Sequence, residues 1–326
     1  MTIKSKNFKI KKFVLVLVSL VFICYGAGAL IILSSGGTIY DIFNRGNFNG
    51  FLRNNFRGYG NELNLERSES ISLKDISKIN VSTTFSDVKI IYNDGEELRA
   101  DLKGSVRGTL SSSDIELILT SSNGEVNVKQ TSPSGMNINF SDAGLTLYIP
   151  KSYSKAMDIS TISGDVDLSQ VNLDTTGMKI KTISGDIRCN NIKTKDMEIN
   201  STSGSVSINK LISSTLKSSQ ISGDININDF EGAIELKTTS GEIRLKMNKI
   251  NDSAKISSIS GDVDLYINPS INIEFDINSV SGDVSLDNSL NTSGIIKKSK
   301  GSIKVNSGGI SSSISTTSGD IRIKSN

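Results

Sequence analysis

From Met157 to Ile323 apolar side chains stand at fixed distances on both sides of a recurring Ser-Gly-Asp or close variant. The variants centre on Gly164, Gly185, Gly204, Gly223, Gly241, Gly261, Gly282, Gly301 and Gly319. Counted from each glycine, positions −7 and −5 and positions +2 and +4 are apolar, as in Met178/Ile180 and Ile187/Cys189 around Gly185. Among these 36 places Ser218, Gly294 and Ser312 break the rule. Period-two alternation on both sides of a turn predicts two short strands per repeat, each with one face inward. The glycines lie 18 to 21 residues apart, the repeat length of a solenoid whose units stack along one axis. Coils about 4.8 Å apart turn the columns into parallel sheets around a dry core. The expected fold is all-β, a single-stranded parallel β-helix or β-solenoid, right-handed by the crossover rule for parallel strands.

Residues 157–326 form its regular part. At each corner the glycine supplies φ > 0 or lets the next coil approach closely, while the Ser before it and the Asp after it are expected to close the corner by bonds to backbone. Hydroxyl residues at −3, such as Thr161, Thr182 and Ser201, suggest a ladder beside the corner, interrupted by Gln220 and Lys298. The +1 acids, from Asp165 and Asp186 to Asp320, form a file that invites a calcium reading. Ser205 and Ser302 interrupt that file, and one acid per 20 residues differs from nonapeptide calcium repeats, so turn closure is preferred and no metal or other cofactor is expected. Cys189 takes a place where Leu or Ile is usual and reads as a small core hydrophobe.

Residues 71–156 keep the alternation in longer units: Ile79, Val81 and Thr83, then Val88, Ile90 and Tyr92, before a turn at Asn93-Asp94-Gly95. They read as irregular first coils that cap the solenoid. The stretches ISKINVSTTFSDVKIIYNDGEELRADLKGSV (76–106), LTLYIPKSY (145–153) and ISTISGDVDL (159–168) resemble the bacterial putative-adhesin family, a domain of unknown function with β-strand repeats. The layout is similar to that of the membrane-anchored LiaG-like proteins of Gram-positive bacteria. The resemblance implies a β-solenoid at the cell surface and brings no catalytic residues.

Upstream, five lysines in residues 1–12 precede an uncharged run from Phe13 to Leu33. Twenty-one residues at about 1.5 Å rise span a bilayer core, and the lysines set a cytoplasmic N-terminus with the remainder extracytoplasmic. Ala27-Gly28-Ala29 offers a signal-peptidase site as the rival reading; the apolar run continuing to Leu33 favours a retained single-pass anchor in the cell membrane. Residues 34–70 read as a juxtamembrane linker, with six aromatics and three arginines between Tyr40 and Tyr59 that either lie on the headgroups or pack on the first coil.

Composition then narrows function. The chain has no His, which removes the usual general base and zinc ligand. Cys24 and Cys189 are too far apart in the expected architecture to pair. Beyond the lysine-rich start, 31 Lys and Arg stand against 34 acids, and no basic patch with stacking aromatics suggests nucleic acid. A non-enzymatic adhesin or surface-interaction protein is the leading reading, its partners the membrane and an unspecified envelope ligand. An accessory regulator of envelope-stress sensing comes second. A polysaccharide-acting β-helix enzyme comes last, because Phe230, Tyr266 and Phe275 are scattered. Arg322 and Lys324 are expected on an exposed C-terminal edge, discouraging end-to-end pairing.

Overall fold

The computed structural model describes residues 61–108, 114–132 and 138–326. The expected anchor from Phe13 to Leu33 and the aromatic stretch to Tyr59 lie outside them. No helix of the described residues is long and apolar enough to cross a membrane. Residues 60–326 form a compact unit of their own, and its secondary structure is all β. In chain order the first strands are β1 (Asn61–Ser72), β2 (Lys78–Thr83), β3 (Asp87–Asn93), β4 (Glu97–Gly108), β5 (Glu116–Ser122), β6 (Glu125–Thr131), β7 (Ile138–Ser141) and β8 (Gly144–Pro150). The repeat region follows with β9 (Ala156–Thr161), β10 (Val166–Thr175), β11 (Met178–Ser184), β12 (Ile187–Ser203), β13 (Val206–Ser222), β14 (Ile225–Ser240) and β15 (Ile243–Ser260). The last are β16 (Val263–Ile267), β17 (Ile273–Ser281), β18 (Val284–Leu286), β19 (Thr292–Lys297), β20 (Lys300–Val305), β21 (Ile310–Ser318) and β22 (Ile321–Ser325). β1 thus begins inside the segment expected as linker.

β12 shows how one coil is made. Ile187 and Cys189 point inward, then Ile192 and Thr194, then Met197, Ile199 and Ser201. Two consecutive outward residues separate each group, so the alternation changes phase twice and the strand folds around three sides of the core. It pairs with β13 in parallel at an offset of 19 residues from Ile187↔Val206 through Ile192↔Leu211 to Met197↔Leu216. Each coil therefore has three short strands, not the two that the four columns beside the glycine predict. The missed columns are Leu173, Ile192, Leu211, Phe230 and Met247, with Thr175, Thr194, Ser213, Gly232 and Ile250 beside them. The register shifts of the coil pairings fall next to this third side, at Leu168/Asn172, Ser213/Thr215 and Ile227/Phe230. Differences in repeat length are absorbed there: Ile192, Leu211 and Phe230 stand seven residues after their glycine, Leu173 nine and Met247 six.

The corner glycines form a single column. A Cβ built on Gly185 would lie 2.2 Å from the carbonyl oxygen of Gly164, one on Gly204 2.2 Å from that of Gly185, and one on Gly223 2.2 Å from that of Gly204. Close approach by the preceding coil, more than a special φ, demands glycine: Gly185 has no positive φ and Gly223 has one of 126°. The column starts at Ser86, whose carbonyl oxygen lies 2.1 Å from a Cβ built on Gly164, and runs through Gly241 and Gly261. It then leaves chain order, because Gly319 packs on Gly261 and Gly282 packs on Gly319. Gly301 does not join the column. It lies in β20, against the backbone of Ile295 and Ile296 in β19.

That reordering places the C-terminal strands inside the stack. β21 pairs in parallel with β15 on one side (Ile256↔Ile314) and with β17 on the other (Ile277↔Ile314). Likewise β22 lies between β16 and β18. Outside β17 the pattern turns antiparallel, with β20 and then β19 closing this end. The opposite end repeats the arrangement: β2 lies between β9 and β6, and β3 between β10 and β8. Antiparallel β5, and β4 followed by β1, then cover the outside. The C-terminal strand is accordingly not the exposed edge expected of it. Arg322 and Lys324 make ion pairs with Asp264 in the neighbouring coil.

Two outcomes follow for residues 60–326. Gly223→Ala should lower unfolding stability by about 3 kcal/mol or more, from left-handed strain plus overpacking. Gly177→Ala, where the nearest atom to a new Cβ is 4.0 Å away, should leave it unchanged or raise it by less than about 1 kcal/mol; urea titration measures both. Deleting residues 307–326 should abolish amide-exchange protection in β17 and β18, because the coil supporting them is gone, while β12 to β14 stay protected.

Candidate functional site

The densest constellation of titratable groups lies along the corner column and the strand after it. Each corner Asp serves the next coil and not its own turn: the Asp165 N–H donates to Asp87 Oδ1 at 2.9 Å, that of Asp186 to Asp165 Oδ1 at 2.8 Å, and that of Ser205 to Asp186 Oδ1 at 2.9 Å. The reordered end continues the ladder, with Asp320 N–H on Asp262 Oδ1 at 2.8 Å and Asp283 N–H on Asp320 Oδ1 at 3.0 Å. The second carboxylate oxygens meet cations. Arg188 bridges Asp165 at 2.8 Å and Asp186 at 2.7 Å, and Arg322 bridges Asp262 and Asp320, each at 2.9 Å. Oxygens that a calcium ion would need are thus committed to N–H groups and guanidinium. Among the described residues no cluster of three or more His, Cys, Asp or Glu could hold a metal ion.

The −3 residues sit inside the core rather than beside it. Thr161, Thr182, Ser201, Gln220, Thr238, Ser258, Thr316 and Ser279 are all buried beneath the corners. The Thr161 hydroxyl accepts the Gly164 N–H at 2.9 Å, so part of this column closes the corner from within. Gln220 belongs to it, whereas Lys298 lies in the β19–β20 turn away from the corner column. Cys189 is buried as expected, and burial pushes its thiol up to about 12, which leaves almost no thiolate at neutral pH.

Around Asp264, which is almost fully buried, Lys324 stands at 3.2 Å, Arg322 at 3.7 Å and Arg244 at 3.9 Å. Arg244 also holds Glu242 at 2.6 Å. Burial and the neighbouring Asp264 raise the Glu242 carboxyl above the ordinary range. The Asp320 N–H, with Arg322 beside it, holds Asp262 below that range. Two acids pushed in opposite directions is a pattern shared by acid–base sites, but here Arg244 and Arg322 each hold an acid of their own coil and reach Asp264, so the cluster joins coils. A cavity of about 590 Å³ is an open groove where the third side gives way to a turn at 268–271. Its amides are engaged, Asn248 with Asp229 and Asn326 and Asn268 with Ser270.

Charge order is a feature that the apolar columns do not reveal. Down the stack, position −6 reads Asp158, Lys179, Glu198, Lys217, Glu235, Lys255. Lys179 pairs with Glu198 at 2.6 Å, and at the top Lys78 reaches Asp158 at 2.6 Å. The signal was available in the sequence from aligning outward as well as inward positions.

The family model Toastrack DUF4097 matches residues 76–324, from just before β2 into β22. The chain belongs to the Toastrack family. None of the curated proteins matches it. Among solved structures it is similar to a putative cell adhesion protein from Clostridium sporogenes, at 12% identity and a TM-score of 0.30, covering 81% of this chain and 100% of that one. Two putative adhesins are similar as well. One, from Parabacteroides distasonis, is 12% identical with a TM-score of 0.46, covering 82% of this chain and 98% of its own. The other, from Bacteroides fragilis, is 12% identical with a TM-score of 0.44, covering 79% and 97%.

The opposite shifts of Asp262 and Glu242 give opposite pH behaviour. A carboxyl lowered in the folded state adds stability above its ordinary value near 3.9 and loses it as pH falls through the folded value. Asp262→Asn should therefore cost up to about 1 kcal/mol at pH 7, the size of a partly exposed ion pair, and match the parent in strong acid. A raised carboxyl is most favourable below its ordinary value, so Glu242→Gln should gain stability at pH 7 and lose that gain on acidification. Urea midpoints across pH 2.5–7 measure both.

Proposed function

We propose that this Toastrack chain is a non-enzymatic envelope protein. Its 13–33 segment acts as a single-pass anchor, and its β-solenoid engages a cell-surface partner through the lateral faces, in the manner of an adhesin. The observation that carries the reading is the regular outer surface. Outward side chains repeat coil by coil in register, in polar files such as Asn190–Asn209, joined at 3.0 Å, and Asn172–Asn191, joined at 2.8 Å. A rigid, flat, polar array of this kind favours recognition of another extended repeating surface over enclosure of a small substrate, for which sites are concave and mostly apolar. The acid-rich corner supports the same reading, since its charges are matched coil to coil rather than gathered around a cleft.

The reading is tested on cells and with the purified unit. Protease added to intact cells should cleave the chain between 34 and 60, and residues 60–326 immobilised on resin should retain an envelope polysaccharide or protein saturably while releasing no sugar from a glycan panel. Loss of attachment in a deletion strain, with stress signalling intact, separates this role from that of a regulatory accessory. Absence of any retained component, or glycan turnover, would sink it.

A further inference from the structure

The end of the stack closed by β19 and β20 differs chemically from the lateral faces. Between Asp287 and Asp320 there is no acid, and Lys297, Lys298, Lys300 and Lys304 all fall in or beside this hairpin. The pairings Ser293↔Lys304, Ile295↔Ser302 and Lys297↔Lys300 put those residues on one outward face. Ile295 at its centre is 67% exposed. The second strongly exposed apolar residue is Val280, at 66%. The pairing Asn278↔Lys300 and the Ser279 N–H on Ser299 O at 2.7 Å bring Val280 beside the Lys298 turn. Two acids face this end: Glu274, within 3.7 Å of Lys304, and Asp276, opposite Ser302. Among the described residues no ion pair reaches Lys297, Lys298 or Lys300, whereas Lys304 has Glu274.

Lysines on an outer strand deter strand addition, and that alone would account for the charge. It does not account for two apolar side chains left in water among them. A second copy docking here would set like charges opposite one another across the seam. A purely polyanionic partner would leave Ile295 and Val280 without a role. Cations around exposed apolar side chains are the composition of an interfacial membrane contact, in which lysines meet anionic headgroups and the apolar groups enter the acyl boundary. We propose that the β19–β20 end of the solenoid is a docking surface for anionic phospholipid. It is separate from the lateral faces and independent of what they bind.

The test is co-sedimentation of residues 60–326, which lack the apolar 13–33 run, with vesicles of phosphatidylcholine alone or with about one third phosphatidylglycerol. Binding is expected to the anionic vesicles and not to the neutral ones. It should fall about a hundredfold in K297E/K298E/K300E, since each lysine near an anionic surface contributes roughly a factor of five, and about tenfold in Ile295→Ser. K129E/K195E/K249E, with the same charge change elsewhere, should bind far better than the hairpin variant, and thermal melts confirm that all variants fold. Equal binding to neutral vesicles, no binding to anionic ones, or no loss in K297E/K298E/K300E would overturn the proposal. So would full competition by soluble polyphosphate with Ile295→Ser unaffected, which would assign the surface to an anionic polymer.

Discussion

A backbone carbonyl of one coil occupies the space that a side chain would need on the next. At the corner column this contact recurs from coil to coil, with built Cβ positions 2.0–2.3 Å from the preceding oxygen, and the rest of the coil is arranged to make it tolerable. The strands before and after each corner are held in parallel register, so their aliphatic side chains stack without slipping. The Asp after each glycine stitches the corner to the next by accepting its N–H. Slack that the corner cannot absorb appears on the third side, where bulges take up repeats of 18 to 21 residues.

The two sides flanking the corner were legible in the sequence because the glycine fixes their phase. Met178, Ile180, Ile187 and Cys189 are all buried where alternation puts them. The third side was not, because two consecutive outward residues after position +4 break the alternation, bulges move Leu173 and Met247 away from the +7 place that Ile192, Leu211 and Phe230 share, and a one-residue shift inverts which face a side chain occupies. Chain order along the stack was illegible for another reason. The Ser-Gly-Asp at Gly319 has the same local chemistry whether it follows Gly301 or slides between Gly261 and Gly282, and only long-range pairing distinguishes the two. Gly301 shows the converse, a similar tripeptide whose flanks, Lys297 to Lys300, are too polar for a coil and instead form a hairpin. The acids were found by their spacing, but their service to the neighbouring coil was not, since Oδ1 reaches a backbone N–H about 20 residues away.

The alternating charges at −6 and the Asp–Arg network work on a different property from the apolar core. Interchangeable aliphatic columns would let coils stack in more than one order at similar burial. A stack in which Lys179 faces Glu198 and Lys78 faces Asp158 penalises orders that set like charges side by side. Individually such surface pairs add little stability. Summed over the coils they discriminate against wrong registers, which the core cannot do.

The tucked-in position of β21 and β22 also bears on when the molecule can fold. Residues 310–326 form the layer between β15–β16 and β17–β18, so the central coils can be completed before these residues join but the distal end cannot. The outermost layers must wait for, or open to admit, a strand that arrives after them. The pairing of β15 with β21 spans about 58 residues, and closure over such distances is slow. Maturation of this end is therefore a late event tied to insertion of β21 and β22, and a chain lacking them has an intact middle and an unfinished end.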